Sequence, residues 1–103
     1  MIRFLVLYKQ PTDVAAFDRH YSEVHVPLAK SLPELRSYTV SRKTTLVRGE
    51  DPYYLIAELD WDDKGAMQRA FASPAGLESA KDVDELAKVC PDISSVIYEV
   101  ETL

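Results

Sequence analysis

A chain of 103 residues, 47% hydrophobic and 28% charged, has the length and balance of one folded domain spanning residues 1–103, with a single core and no disordered bulk. Its formal net charge of −5 argues against nucleic acid or an anionic membrane surface as the main partner, because both reward clustered Lys and Arg. No apolar run reaches the roughly 18 residues of a membrane helix, and the single cysteine, Cys90, cannot close an internal disulfide, so a reducing, cytoplasmic setting is expected.

Ile2 to Tyr8 is rich in β-formers and apolar on both parities, with Ile2, Phe4, Val6 and Tyr8 on one and Leu5 and Leu7 on the other. That pattern predicts a central strand buried on both faces. Pro11 stops it, and Thr12 or Asp13 can cap the helix that follows. The stretch Phe17 to Leu28, FDRHYSEVHVPL, holds both histidines of the chain. On a regular helix Phe17, Tyr21, Val24 and Leu28 form an apolar stripe, with His20 and His25 on its two margins, about 140° apart. Pro27 has no N–H for the carbonyl of Glu23 and its ring crowds that carbonyl, so a kink or break near residues 23 to 27 is expected. His25 would then sit in an irregular turn, where a cavity forms more easily.

Leu32-Pro33 ends the helix. Leu35 to Val47 alternates like a partly exposed strand, with Arg36, Arg42, Lys43 and Arg48 as a solvated edge. After the loop Gly49 to Pro52, Tyr53 to Trp61 reads as another strand with apolar residues on both faces. Asp62 is placed to cap a second helix carrying Ala66, Met67, Ala70 and Phe71, which Ser73-Pro74 ends, Pro74 being well placed at a first helical position of the turn that follows. Asp82 and Glu85 have capping-box spacing for a further helical segment that Pro91 closes, and Ser94 to Thr102 is the last strand. Strand, helix, strand, strand, helix, strand is the split order of an α+β, ferredoxin-like βαββαβ fold: a four-stranded antiparallel sheet with its helices on one face. The other face would leave an apolar patch uncovered, and a homodimer through the sheet face is the economical cover.

Imidazole titrates near neutrality, so His25 suits general acid–base work on a small, largely apolar ligand; it equally suits bonding to backbone freed near Pro27. His20 either reaches the ligand or stands half exposed beside Asp18 and Glu23. Tyr21 and Tyr38 are candidates to line a cavity with their hydroxyls, or are simply packing. Glu58, a carboxylate in an apolar strand, faces a cavity, pairs with a basic group or sits at the rim. Two histidines five apart diverge on a helix, so no metal site is expected, and Gly49, Gly65 and Gly76 are isolated, so no phosphate-binding loop for a nucleotide cofactor is expected. Cys90, between Val89 and Pro91, reads as inert packing.

Phe17-x-x-His20-Tyr21-x-x-x-His25-x-Pro27-Leu28-Ala29 resembles the motif of the EthD domain family, within the dimeric α/β-barrel superfamily. Pro33-x-Leu35-x-x-Tyr38, Tyr54 with Ala57-Glu58-Leu59, Ser73-Pro74 and Asp82 extend the likeness over essentially the whole chain. The resemblance implies a ferredoxin-like fold, an obligate or near-obligate dimer, and a cavity between sheet and helices in each subunit. The family's namesake is associated with bacterial degradation of ethyl tert-butyl ether alongside a cytochrome P450 system. Other relatives act on polyketide-derived or aromatic compounds as cyclases, dehydratases, decarboxylases or lactone isomerases, without organic cofactor or metal. Two functions follow as expectations: a cofactor-free enzyme using His25 for proton transfer, or a non-catalytic dimer that holds a hydrophobic metabolite or supports an oxygenase. The motif supplies no second acid–base residue to pair with His25.

Overall fold

Strand β1 (Ile2–Tyr8) lies in the middle of a four-stranded sheet of order β2-β3-β1-β4, with every neighbouring pair antiparallel, in the computed structural model, which describes residues 1–103. Its neighbours are β3 (Leu55–Trp61) and β4 (Ile93–Glu99), and β2 (Ser37–Ser41) forms the edge beyond β3. The register sets Val6 opposite Ala57 and Ser95, and Phe4 opposite Leu59 and Ile97. The helices are α1 (Val14–His20), a π turn (Tyr21–His25), α2 (Val26–Lys30), α3 (Lys64–Ala72) and α4 (Pro74–Ala87). This is the expected ferredoxin-like α+β architecture.

The core sits between sheet and helices. Ile2, Val6 and Tyr8 of β1 and Leu55, Ala57, Leu59 and Trp61 of β3 point into it, against Phe17, Tyr21, Ala29, Met67, Ala70 and Leu86. Trp61, fully buried, keeps its one polar atom satisfied: Nε1 donates to the carbonyl of Pro33 at 3.0 Å. The other face of the sheet carries Leu5, Leu7 and Ile56, all only half-buried, with Val96 and Tyr98 of β4 exposed beside them. Arg3 also crosses that face to hold Asp60 in a two-point bond, Nε to Oδ1 at 2.8 Å and Nη2 to Oδ2 at 3.1 Å, which ties β1 to β3.

Several boundaries depart from the sequence reading, among them the last strand, which ends at Glu99 rather than Thr102, and the third, which starts at Leu55 rather than Tyr53. The strand expected over 35–47 is ordered as a ladder only from Ser37 to Ser41, because β3 begins at Leu55 and offers no partner further out; Thr44 instead bonds through its hydroxyl to the carbonyl of Tyr53. The cap of α3 is Asp63, whose carboxylate accepts from the N–H of Ala66 at 2.8 Å, while Asp62 is spent on Arg36. And α4 starts at Pro74 with Ser73 as its cap, so Asp82 lies inside the helix rather than at its head.

The corner between α3 and α4 is tight enough to exclude any side chain at Gly76. A Cβ there would lie 2.2 Å from the carbonyl oxygen of Ala70 and 2.5 Å from Cα of Phe71, both backbone atoms that cannot swing away. Gly76→Ala is therefore expected to cost about 3 kcal/mol or more and to lower the melting temperature by more than about 10 °C in a thermal scan. Gly65→Ala, where the new methyl meets only side-chain ends at 3.3 Å, should stay within a few degrees of the parent.

Candidate functional site

The site grows out of one irregularity in the first helical run. The N–H of Val26 bonds to the carbonyl of Tyr21, five residues back, so the stretch Tyr21–His25 is one π turn between two α segments. It immediately precedes Pro27, which cannot donate to Glu23; a widened turn stands where a kink or break was expected. Such a turn spends more residues per revolution than an α turn, so residue i+4 stays over residue i instead of running past it. The buried side of the run is consequently Phe17, Tyr21, His25, Ala29, spaced by four throughout, and Val24 is left 40% exposed. This corrects the stripe of Phe17, Tyr21, Val24 and Leu28 that a regular helix predicts. The rings of Phe17 and Tyr21 stack at 5.6 Å and those of Tyr21 and His25 lie 5.2 Å apart, so three rings follow one another into the interior.

The same turn overturns the expected divergence of the two histidines. Both reach one carboxylate: His20 Nε2 lies 2.7 Å from Oδ1 of Asp82, and His25 Nδ1 lies 2.9 Å from Oδ2. Asp82 is 7% exposed, in mid-α4, and accepts a hydrogen bond on each oxygen. It supplies the acidic partner for His25 that the motif lacks. The spacing of Gly76, Ser79, Asp82 and Leu86 marks the buried stripe of α4, and would have singled out this aspartate had the turn begun at Pro74 been continued as one helix through it.

A cavity of about 320 Å³ lies between the sheet and the helices, with 13 of its 16 lining residues hydrophobic. His25, Tyr21 and Tyr38 all line it. The hydroxyls of Tyr21 and Tyr38 are 2.7 Å apart; one donates to the other, which leaves one O–H of the pair free to donate. Burial pushes both phenols above their ordinary range, so they remain protonated donors. Ser79 adds a second donor to the wall, its Oγ buried without a partner. With Asp82 accepting from Nδ1–H, His25 presents a bare Nε2, which has no protein partner. Burial lowers the pKa of His25 and outweighs the hydrogen bond to Asp82, which raises it; the nearby His20 lowers it further.

The remaining candidates lie elsewhere. His20 is absent from the cavity wall and opens instead, with a side chain 31% exposed, into a surface groove beside Glu23 and Glu85. Glu58 is on the uncovered face of the sheet, 4.0 Å from Arg3 and opposite Leu5, so of the readings open to it the structure supports pairing with a basic group and separates it from the cavity. Cys90 is fully buried with its thiol pushed up by burial, in keeping with packing. His20, His25 and Asp82 spend their facing atoms on one another, and no three His, Cys, Asp or Glu side chains surround one point as a metal requires.

A neutral, buried His25 links stability to pH with a definite sign. The unfolded chain binds a proton on this imidazole near pH 6.5, the folded chain only lower, so the contribution is complete above that pH and is lost as pH falls toward the folded value. Between about pH 7.5 and pH 5.5, the melting temperature of His25→Gln should therefore fall less than that of the parent. Equal falls in the two proteins would remove burial as the controlling influence on this ring.

Comparison with known proteins places the geometry in context. The EthD domain model matches residues 9–89. An uncharacterized 11.0 kDa protein of Rhodococcus erythropolis is 37% identical over 87 residues, 84% of each chain. A crystal structure of an ethyl tert-butyl ether degradation (EthD) family protein from Bacillus halodurans superposes with a TM-score of 0.85 at 34% identity, over 98% of this chain and 99% of that one. At 20% identity or below the likeness concerns the fold alone: SnoaB, a cofactor-independent oxygenase from Streptomyces nogalater (TM-score 0.66, 20% identity, 99% and 94% of the two chains), and a dimeric ferredoxin-like protein from Thermobifida fusca (0.70, 17%, 96% and 90%). No helix of this chain is long and apolar enough to cross a membrane. With a matching domain model over most of its length and relatives above 30% identity across nearly all of it, the chain belongs to the EthD family.

Proposed function

We propose that this EthD-family chain takes a small, largely apolar aromatic ketone or phenolic metabolite into the cavity between sheet and helices and moves a proton on it without a cofactor. One observation carries the reading: His25 stands in the wall of an apolar cavity with Nδ1 held by a buried aspartate, so that Nε2 is a bare base facing the space a ligand would fill. The role of each group follows from its chemistry. Nε2 of His25 takes a proton from a C–H or O–H adjacent to a carbonyl. The imidazolium that results is paired with Asp82, which fixes the tautomer throughout. The free O–H of the Tyr21–Tyr38 pair donates to the oxygen on which negative charge develops, and Ser79 offers a second donor. An apolar wall strengthens each of these interactions by excluding water.

2-Tetralone, a bicyclic ketone with an acidic C–H next to its carbonyl, is a suitable probe. Incubated with the protein in D2O and followed by NMR, it should exchange deuterium into that position faster than in buffer. His25→Gln is expected to lower the protein-dependent rate by about 100-fold or more, and Asp82→Asn to lower it as well by releasing the tautomer. Saturable binding of 2-tetralone with no exchange would assign the chain to the other role, a holder of hydrophobic metabolites.

The same reading includes a homodimer through the uncovered sheet face; the T. fusca protein of this fold is described as dimeric. Leu5, Leu7, Ile56, Val96 and Tyr98 form an apolar patch there, bordered by Glu58 and the Arg3–Asp60 pair, of the kind a second copy covers. Leu7→Asp, which sets a carboxylate beside Ile56 at the centre of that face, should convert a particle of twice the chain mass into one of single mass in light scattering. A parent protein that is already monomeric would end the dimer reading.

A further inference from the structure

Asp82 bonds two imidazoles, of which only one can touch a ligand. His25 lines the cavity; His20 stands on the opposite side of the carboxylate, in a groove open to solvent. The side chains become steadily more accessible outward from the carboxylate, 7% for Asp82 against 31% for His20, while His25 at 11% is nearly enclosed. A single carboxylate balances a single positive charge. Two imidazolium rings against one buried carboxylate would leave an uncompensated cation, and that is costly in a site of low dielectric constant.

Resting on the proton-transfer reading of His25, we infer that His20 is a positioning residue that exchanges charge with it: as Nε2 of His25 takes a proton from the ligand, His20 gives one from Nδ1 to water. Both bonds to Asp82 survive the exchange. His25 keeps Nδ1–H on Oδ2, His20 keeps Nε2–H on Oδ1, and the carboxylate stays ionised. The balance closes with one proton leaving the ligand for His25 and one leaving His20 for solvent, so the three groups carry no net charge before or after. The reverse exchange reloads the site. No atom has to cross the protein, and no tautomer has to turn over.

Other charges face this relay without bonding to it. Arg19 and Glu23 from the first helical run, and Glu85 and Lys88 from α4, line the groove beside His20; Lys88 is held by Glu85 at 3.0 Å. Glu78, Lys81, Asp84 and Glu85 stand around the outer side of Asp82. Within the cavity the ring of Tyr21 lies 5.2 Å from that of His25, and Tyr8 and Tyr38 share the wall with them. Asp82 alone hydrogen-bonds either imidazole.

The chain has two histidines, so each ring can be followed separately by NMR from about pH 5 to about pH 8, where imidazole titrates. In the parent protein the His25 signal should follow a curve broader than a single-site titration, with an inflection where the His20 signal moves. In His20→Gln it should collapse to a single-site curve with its midpoint raised by up to about two pH units, the effect of removing a like charge a carboxylate's width away at an effective dielectric constant of about 20. Lys88→Gln, in the same groove but bonded to neither ring, should leave the His25 curve in place, which separates this coupling from the general field of the surface. A single-site His25 curve in the parent, indifferent to His20, overturns the inference even should His20→Gln fail to fold. Coupled curves without exchange on 2-tetralone would keep the charge exchange and discard the catalytic reading; exchange on 2-tetralone with uncoupled rings would do the reverse.

Discussion

The carboxylate of Asp82 is the fixed point about which the site is organised. It is nearly buried, it is charged, and each of its oxygens needs a donor. Two imidazoles from one helical run meet that need, and in doing so pin the run to the middle of α4. The orientation of His25 then follows: with one nitrogen committed to the carboxylate, the other is the one left for the cavity. A histidine on a cavity wall with both nitrogens free could present either tautomer. This one presents a base.

That fixed point depends in turn on packing well away from it. Asp82 keeps its height above the sheet because α4 is clamped at its start, where Gly76 lies against the backbone of Ala70 and Phe71 and Ser73 caps the first turn. The histidines keep theirs because Phe17 and Tyr21, fully buried against Tyr8, anchor the first helical run to the C-terminal end of β1. Sheet, run and α4 enclose the cavity among them. Its few polar groups, a bare imidazole nitrogen, a tyrosine pair with one spare O–H and the hydroxyl of Ser79, have no demand on them from the fold itself.

The architecture was legible from residue types alone because alternating apolar parity in Ile2–Tyr8 and Leu55–Trp61, and the prolines between segments, leave little freedom in where elements begin and end. Tyr21, Tyr38 and His25 were legible as cavity candidates for the same reason. What periodicity could not deliver was phase. A wheel at a constant angle per residue has no place for a π turn, so it sent Val24 inward and parted His20 from His25. Asp82 was hidden by a different mistake of the same kind: an acid three residues before Glu85 matches a cap as well as it matches a buried stripe, and only the unbroken run of α4 from Pro74 to Ala87 distinguishes them. Glu58 was ambiguous because one strand shows both faces in alternation, and composition does not say which face the helices cover.

A π turn accommodates one residue more than an α-helix needs over the same rise. In this chain the surplus residue falls between Tyr21 and Val26, so everything after it is rotated relative to what precedes it. Removing Ser22 from this stretch would restore the α-helical phase across it, with Pro27, the charges and the aromatic residues all still present. It would also swing the second imidazole off the shared acid. The chemistry of the hollow is thus written less in which side chains the helix carries than in the count of residues separating them, a trait that gain or loss of one codon can switch while the fold itself endures.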